Sequence, residues 1–352
     1  MRHLIDLDDM RASELAAVLD FAGAIMSKPE YYYDSCHGRL LATLFYEPST
    51  RTQMSFQAAM LKLGGRIIGF DNPSTTSVAK GESLKDTIRV VSNYADIITV
   101  RHPLEGAAKA AAMYSRVPII NAGDGGHLHP TQTLTDLFTL LKTKGTLKGL
   151  TVGFCGDLRN GRTVHSLIKA LSKYKGNRFV LISTPTLSLP LYIREVLDRA
   201  GCAYTTCDNL AEALPELDVL YMTRIQKERF ASEQEYEAQK GVFVLDAEKL
   251  KSAKYGLKVL HPLPRVDEIA IEVDDDPAAV YFDQTEYGMY VRMALILNML
   301  DGVAKRADPT IESNSTLRCD NPRCITGSEP YLPRLIARRG GSVCEYCEHE
   351  QL

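Results

Sequence analysis

The stretch Leu40-Leu41-Ala42-Thr43-Leu44-Phe45-Tyr46-Glu47-Pro48-Ser49-Thr50-Arg51-Thr52 decides how the rest of the chain is read. Leu40–Tyr46 is an apolar run of strand length, and such runs suit strands buried on both faces of a parallel sheet. Glu47-Pro48 interrupts it. A helical period follows, with Met54, Ala58 and Leu61 on one face and Phe56, Met60 and Leu63 beside it, until Gly64-Gly65 stops it. Ser49, Thr50, Arg51 and Thr52 therefore fall where a strand hands over to a helix N-terminus. Open backbone N–H groups and the positive end of the helix dipole favour an anion there. Three hydroxyls and one guanidinium suit the oxygens of a phosphate. An ordinary Ser/Thr cap beside a solvated arginine would present the same residues. The stretch is not a P-loop, because the spaced glycines and a Lys followed by Ser or Thr are missing. No dinucleotide glycine fingerprint accompanies it.

Apolar runs alternate with helix-period segments through most of the chain. Further strand candidates are Arg66–Phe70, Asp96–Val100, Val117–Asn121, Thr151–Cys155, Phe179–Ser183, Val219–Met222, Val242–Asp246 and Lys258–His261. The alternation implies an α/β fold of two doubly wound parallel-sheet domains in series. A break is expected near Thr143–Leu150, which gives a first domain over 1–143 and a second over 144–285. The apolar segment Glu286–Leu300 reads as a helix with no strand after it. It can pack on either domain, and 286–304 is assigned to the first. Residues 305–318 read as a polar linker. A small four-cysteine zinc module over 319–352 ends the chain.

The 352 residues are 45% hydrophobic and 24% charged, with a formal net charge of −3. That is globular composition without the basic excess of a general nucleic-acid binder. No stretch approaches the ~20 apolar residues of a membrane span. The opening decapeptide carries acidic residues where a signal peptide needs its apolar core, so a reducing cytoplasmic location is expected. Cys36, Cys155, Cys202 and Cys207 are scattered and suit small buried hydrophobes. Cys319, Cys324, Cys344 and Cys347 form two close pairs, the pattern of a closed tetrahedral structural zinc site. His349 lies close enough to substitute for one of them. Disulfides are disfavoured in a reducing compartment. A tail this short needs such a staple, and metal binding would supply most of its folding free energy. Arg318, Arg323, Arg334, Arg338 and Arg339 leave nucleic-acid binding open for the tail alone.

Phe45–Thr52 resembles the carbamoyl-phosphate signature of the transcarbamoylases. The resemblance covers nearly all of residues 1–305. It includes His129-Pro130-Thr131-Gln132, Gly156-Asp157-Leu158, Gly161-Arg162-Thr163-Val164-His165 and His261-Pro262-Leu263-Pro264-Arg265-Val266-Asp267-Glu268. The second-half motifs resemble the aspartate carbamoyltransferase branch. The resemblance implies that carbamoyl phosphate and L-aspartate give N-carbamoyl-L-aspartate and phosphate, the committed step of pyrimidine synthesis, with no covalent intermediate and no catalytic cofactor. It implies that Ser49, Thr50, Arg51 and Thr52 cradle the phosphate. Thr52, Arg101 and His129 become the catalytic clamp on the phosphate and the carbonyl oxygen, and Gln132 meets the carbamoyl amide. The loop of Pro262 and Leu263, with a cis Leu263–Pro264 bond, turns backbone carbonyls toward the attacking amine. Arg162 and Arg224 would take the two carboxylates of aspartate, helped by Gln226, since the arginine fork binds carboxylate bidentately. Pro262 stands where ornithine-using relatives have Cys.

The same resemblance makes Ser77 and Lys80, in the loop Asn72–Glu82, donors to a neighbouring subunit's site, so the unit is a homotrimer with shared sites. Glu47 and Arg229 become the partners that hold the domains closed. Taken singly, Arg101 also reads as a strand-end residue and His129 as a loop histidine. Gln132 also reads as a neighbour of a helix cap, and Arg162 and Arg224 as partners of acids such as Glu228. Cys324–Pro330 and Cys344–Glu348 resemble the zinc domain of the regulatory chain of the same enzyme, without the nucleotide-binding domain that chain also carries. The implied arrangement is a fusion in which the tail grips a catalytic subunit, in cis or across a contact, and supports assembly above the trimer. No nucleotide feedback is expected, and a separate regulatory chain is left open. An idle zinc-bearing assembly partner and an ornithine-using enzyme are the other readings. Arg162, Arg224 and Pro262 stand against the latter. Neither nucleic acid nor membrane is an expected partner.

Overall fold

The computed structural model describes residues 3–8, 10–227, 230, 232–301, 317–334, 336–338 and 342–351. The chain divides into two compact units, Met1–Thr131 with Met289–Leu352, and Gln132–Gly288. It passes from one to the other within a helix each time. Among the described residues no helix is long and apolar enough to cross a membrane.

The first unit opens with α1 (Ala12–Ser27) and continues through β1 (Leu40–Phe45), α2 (Thr50–Lys62), β2 (Arg66–Phe70), α3 (Leu84–Val91), β3 (Ile97–His102), α4 (Ala107–Tyr114) and β4 (Ile119–Asp124). Its four strands are all parallel, in the order β2-β1-β3-β4. β3 and β4 are buried along their whole length, as helix-covered parallel strands must be. The strand order reverses between β1 and β3, so the chain leaves these neighbours in opposite directions and opens a crevice beyond their carboxyl ends. Phe45 pairs with Arg101 across that point.

α2 buries Thr52, Phe56, Ala59 and Met60, with Leu63 just beyond. The face expected from Met54 and Leu61 is instead exposed, 62% and 54% respectively. Two residues correspond to about 200° around a helix, so Met54 lies across the axis from Phe56. Phe56 follows the buried stripe that includes Thr52.

The second unit takes in most of α5 (Pro130–Lys144), then β5 (Thr151–Cys155), α6 (Arg162–Leu171), β6 (Arg178–Ile182), α7 (Leu191–Ala200), β7 (Ala203–Cys207), α8 (Leu210–Ala213), β8 (Val219–Met222), α9 (Glu233–Glu237), α10 (Ala247–Leu250), β9 (Lys258–Leu260) and the start of α11 (Asp283–Leu300). The parallel order is β7-β6-β5-β8-β9, with its reversal between β5 and β8. β7 was not among the expected strands. It is a half-exposed edge strand, Ala-Tyr-Thr-Thr-Cys, without a continuous apolar run. Val242–Asp246 is not a strand. Only Leu245 makes a bridge, to Ile269, and Asp246 caps α10 through the Lys249 N–H at 2.8 Å. Phe243 and Leu245 are apolar because they fill the core from a loop.

The tail contains α12 (Ile325–Ser328) and an antiparallel sheet of β10 (Ile336–Arg338), β11 (Ser342–Cys344) and β12 (Glu350–Gln351). Most of the expected linker 305–318, like residues 302–304, lies outside the described residues. The tail docks on the first unit of its own chain. The Glu105 N–H donates to the Arg323 carbonyl and the Ile325 N–H to the Glu105 carbonyl, both at 2.9 Å. Glu329 accepts from the Leu84 N–H at 3.0 Å, and Lys109 pairs with Glu345 at 2.9 Å. Cys324, Ile325, Leu332 and Tyr346 share one apolar core with Leu44, Ile98 and Ala110. Gly106, at φ 81°, lies so close that an added Cβ would sit 2.6 Å from the Tyr346 Cβ.

Gly106→Ala should loosen this docking. A left-handed alanine costs ~1–2 kcal/mol, and overpacking adds a similar amount. Limited proteolysis should release the tail faster than in wild type; an unchanged rate would contradict the docked arrangement.

Candidate active site and metal centre

In the first unit, Ser49 is the N-cap of α2, yet its side chain makes no capping hydrogen bond. The ordinary-cap reading therefore fails, and the first-turn N–H groups are left for another acceptor. Thr50 and Arg51 are exposed beside them and Thr52 is buried. Arg101, near the end of β3, is 8% exposed. Its Nη2 pairs with Glu47 Oε2 at 3.0 Å and its Nη1 donates to the Ala122 carbonyl at 3.2 Å. Nε is buried with no hydrogen-bond partner among the described residues. Burial lowers the Arg101 pKa; Glu47 opposes this and the charge of Arg51 adds to it. An arginine stays charged under such pressure, so the site holds an incompletely neutralised cation.

Gly123 brings His129 to that cation. Its φ is 120°, and an added Cβ would lie 2.6 Å from Arg101 Nη1 and 3.5 Å from His129 Cδ2. Bare backbone thus passes beside both side chains. His129 is buried at the residue before α5. The turn that presents it is organised by Asp124, which sequence reasoning missed. This 1%-exposed carboxylate accepts from the Gly106 N–H at 2.8 Å and the Leu128 N–H at 3.1 Å. The Asp-Gly-Gly sequence after a strand was the available signal. Ser77 and Lys80 are exposed on a short 3-10 turn, Ser77–Lys80.

In the second unit, β5 and β8 deliver Arg162 and Arg224. Buried Asp157 accepts from the Asn160 N–H at 2.9 Å, and the Asp157 N–H donates to Thr223 Oγ1 at 3.1 Å. Gln226 Nε2 donates to the Asn160 carbonyl at 3.3 Å. The loop before Arg162 is thus stitched to the loop that holds Arg224 and Gln226. Gly156 permits this, since a Cβ would meet the Thr223 carbonyl at 2.3 Å. Arg162 is the first residue of α6, and Arg162, Arg224 and Gln226 are all half-buried. Gln132 donates from Nε2 to Asp136 at 2.7 Å, which leaves Oε1 as its acceptor. Arg229 and Glu228 lie outside the described residues.

The loop of Pro262 and Leu263 is rigidly held. The Leu263 N–H donates to His261 Nδ1 at 2.7 Å, so the opposite nitrogen carries the proton and donates to Glu268 at 2.6 Å. Glu268 also accepts from the N–H groups of Val266 and Asp267, each at 3.1 Å. Burial raises the Glu268 pKa, but the His261 hydrogen bond and the backbone donors outweigh it and leave the pKa below the usual carboxylate range. Leu263 adopts φ 52° and its bond to Pro264 is cis.

The four tail cysteines converge. Their Sγ atoms all lie within 4.8 Å of one another, with Cys319–Cys347 at 3.5 Å and Cys324–Cys344 at 3.9 Å. Tetrahedral thiolates around zinc at ~2.3 Å would stand about 3.8 Å apart, so the set fits a metal of that size. Thr326 donates to Cys324 Sγ at 3.2 Å, the kind of outer hydrogen bond that orients a ligand. The His349 ring pairs with Asp320 instead of joining the cluster.

Residues 2–142 match the family model for the aspartate/ornithine carbamoyltransferase carbamoyl-P binding domain, and 148–299 that for its Asp/Orn binding domain. Residues 311–351 match the metal binding domain of the aspartate carbamoyltransferase regulatory chain. An aspartate carbamoyltransferase catalytic subunit of Clostridium perfringens is 58% identical over 300 residues, 85% of this chain and 98% of that protein. One of Lachnoclostridium phytofermentans is 58% identical over 304 residues, 86% and 99% respectively. Among solved structures, the catalytic subunit of M. jannaschii aspartate transcarbamoylase superposes with TM-score 0.81 at 46% identity, covering 86% of this chain and 99% of that one. Aspartate transcarbamoylase from Trypanosoma cruzi, in complex with N-(phosphonacetyl)-L-aspartic acid, gives 0.79 at 36% identity, covering 84% and 95%. The chain belongs to the aspartate/ornithine carbamoyltransferase family and carries at its end a metal-binding domain of the regulatory-chain kind.

Proposed function

We propose that this chain transfers the carbamoyl group of carbamoyl phosphate to L-aspartate in the cytoplasm, releasing phosphate and N-carbamoyl-L-aspartate. The observation that carries the reading is the buried Arg101 cation beside the uncapped N-terminus of α2, at a strand-order reversal. The free N–H groups of that helix, with Ser49, Thr50, Arg51 and Thr52, hold the phosphate. Arg101 and His129 face the carbonyl oxygen, and Gln132 accepts from the carbamoyl amide. Arg162, Arg224 and Gln226 hold aspartate, and the Pro262-Leu263 loop orients its amine.

The amine nitrogen attacks the carbonyl carbon, and negative charge grows on the oxygen between Thr52, Arg101 and His129. The carbon–oxygen bond to phosphate then breaks, and the departing phosphate takes the amine proton. Such fixed donors act on charge that develops only in the transition state. Glu47, paired with Arg101 in this structure, exchanges it for Arg229 on closure. Ser77 and Lys80 complete a neighbouring site in a homotrimer, and the tail supports the assembly. Zinc is the metal of the four-cysteine site, because four thiolates at this spacing suit a closed tetrahedral ion. It supplies folding energy and no chemistry.

Purified protein given carbamoyl phosphate should form product with aspartate and not with ornithine; product with neither amine would refute the reading. Arg101→Ala should lower kcat by roughly 100- to 1,000-fold, as loss of one such donor does. Arg162→Ala should instead raise the KM for aspartate roughly 10- to 100-fold, the worth of a charge-assisted hydrogen bond. Chelation should release zinc, measurable by elemental analysis, and unfold the tail. A chelator-treated protein with intact tail protection would exclude the structural role.

A further inference from the structure

A line of alternating charge runs from the end of β4 into the tail. Asp124 faces His127 Nδ1 at 3.4 Å, and His127 Nε2 faces Glu348 Oε2 at 3.4 Å. The second contact is an ion pair, not an aligned hydrogen bond. The His127 side chain is 11% exposed. Burial lowers its pKa, but the two carboxylates outweigh burial and raise it well above the ordinary histidine value. The ring is therefore an imidazolium set between two acids. Glu348 holds its place at a cost. Its φ is 57°, and Leu263 is the other non-glycine residue with positive φ among the described residues. Such a backbone costs a non-glycine residue ~1–2 kcal/mol.

His127 stands two residues before His129, inside a turn closed by the Asp124–Leu128 bridge. On the far side of that bridge, the Gly123 backbone passes so close that an added Cβ would meet both Arg101 and His129. A shift of the turn therefore moves the imidazole that faces the reacting carbonyl. We propose that His127 is a positioning residue for carbamoyl transfer, held from outside by Glu348, so that the metal-bearing tail helps aim His129. This rests on the assignment of His129 to the carbonyl oxygen. Without its cation the buried Asp124 carboxylate loses its ion-pair partner within the turn and keeps only the more general field of Arg101, and the turn relaxes. Glu348 supplies the opposite wall, and its side chain is 42% exposed, so its loss leaves the fold in place.

The test uses the full-length, metal-loaded protein with His127→Gln, His127→Arg, Glu348→Gln and the double variant His127→Gln/Glu348→Gln. Metal content and thermal midpoint are recorded for each. Displacing a reacting contact by ~1 Å can cost up to 100-fold. Glu348→Gln and His127→Gln should each lower kcat about tenfold with the KM for carbamoyl phosphate nearly unchanged, because His129 acts on charge absent from the ground state. His127→Arg keeps the cation and should recover part of kcat. The double variant should be no worse than the poorer single, since one chain of contacts is broken twice. Wild-type kcat in both Gln variants at full metal content overturns the proposal, even if their thermal midpoints fall. His129→Ala is the control: an unchanged kcat there overturns the carbonyl assignment itself, and the proposal with it.

Discussion

Strands that run parallel cannot be joined by tight turns, so each returns through a helix and all of them stop along one edge. In the two α/β units the placement of the candidate site residues follows from that constraint. In the first unit the edge gathers the exit of β1, which becomes the uncapped start of α2, and the end of β3, which carries Arg101. In the second it gathers the exits of β5 and β8, which carry Arg162, Arg224 and Gln226. The two sheets place their reversals at equivalent points. One collects hydroxyls, a helix N-terminus and the buried Arg101, the other Arg162, Arg224 and Gln226.

The strength of the first collection lies in burial. A guanidinium in bulk water would interact only weakly with a substrate oxygen, whereas one enclosed by protein acts through a lower effective dielectric. Glu47 and the Ala122 carbonyl make that burial tolerable without filling every donor of Arg101. The glycine at 123 lets backbone approach where any side chain would displace the cation. Charge, hydroxyls and helix dipole there all favour an anion.

Much of this was legible in sequence because buried parallel strands are written as continuous apolar runs. The buried strands β5 and β8 match their expected limits residue for residue, the exposed edge strand β2 does so through its Ile67-Ile68 pair, and the motif residues fall at strand ends as anticipated. The failures share a physical origin. β7 is an edge strand whose threonines face outward, so its composition resembles a loop. Val242–Asp246 is a loop whose side chains enter the core, so its composition resembles a strand. The outer face of α2 holds Met54 and Leu61, and composition cannot tell an exposed apolar stripe from a buried one. At the candidate site, the residues proposed to act were picked out by their motif resemblance. Asp124 and His127, which organise a turn, were not, because their partners Gly106 and Glu348 are distant in sequence. The tail cysteines were plain from spacing alone, but the surface they cover depends on Gly106 and Glu105.

The tail's attachment changes the terms on which it binds. A separate module would have to give up free translation and rotation to reach this face, and its occupancy would fall on dilution. A module on the same chain meets its site at a local concentration that short tethers set on the order of millimolar. Its occupancy is then independent of how much protein the cell makes. A modest contact suffices to keep it seated. The backbone hydrogen bonds around Glu105, the Lys109–Glu345 pair and the apolar core that takes in Ile325, Leu332 and Tyr346 do not have to bring two separate proteins together. For a segment that never leaves, they are enough.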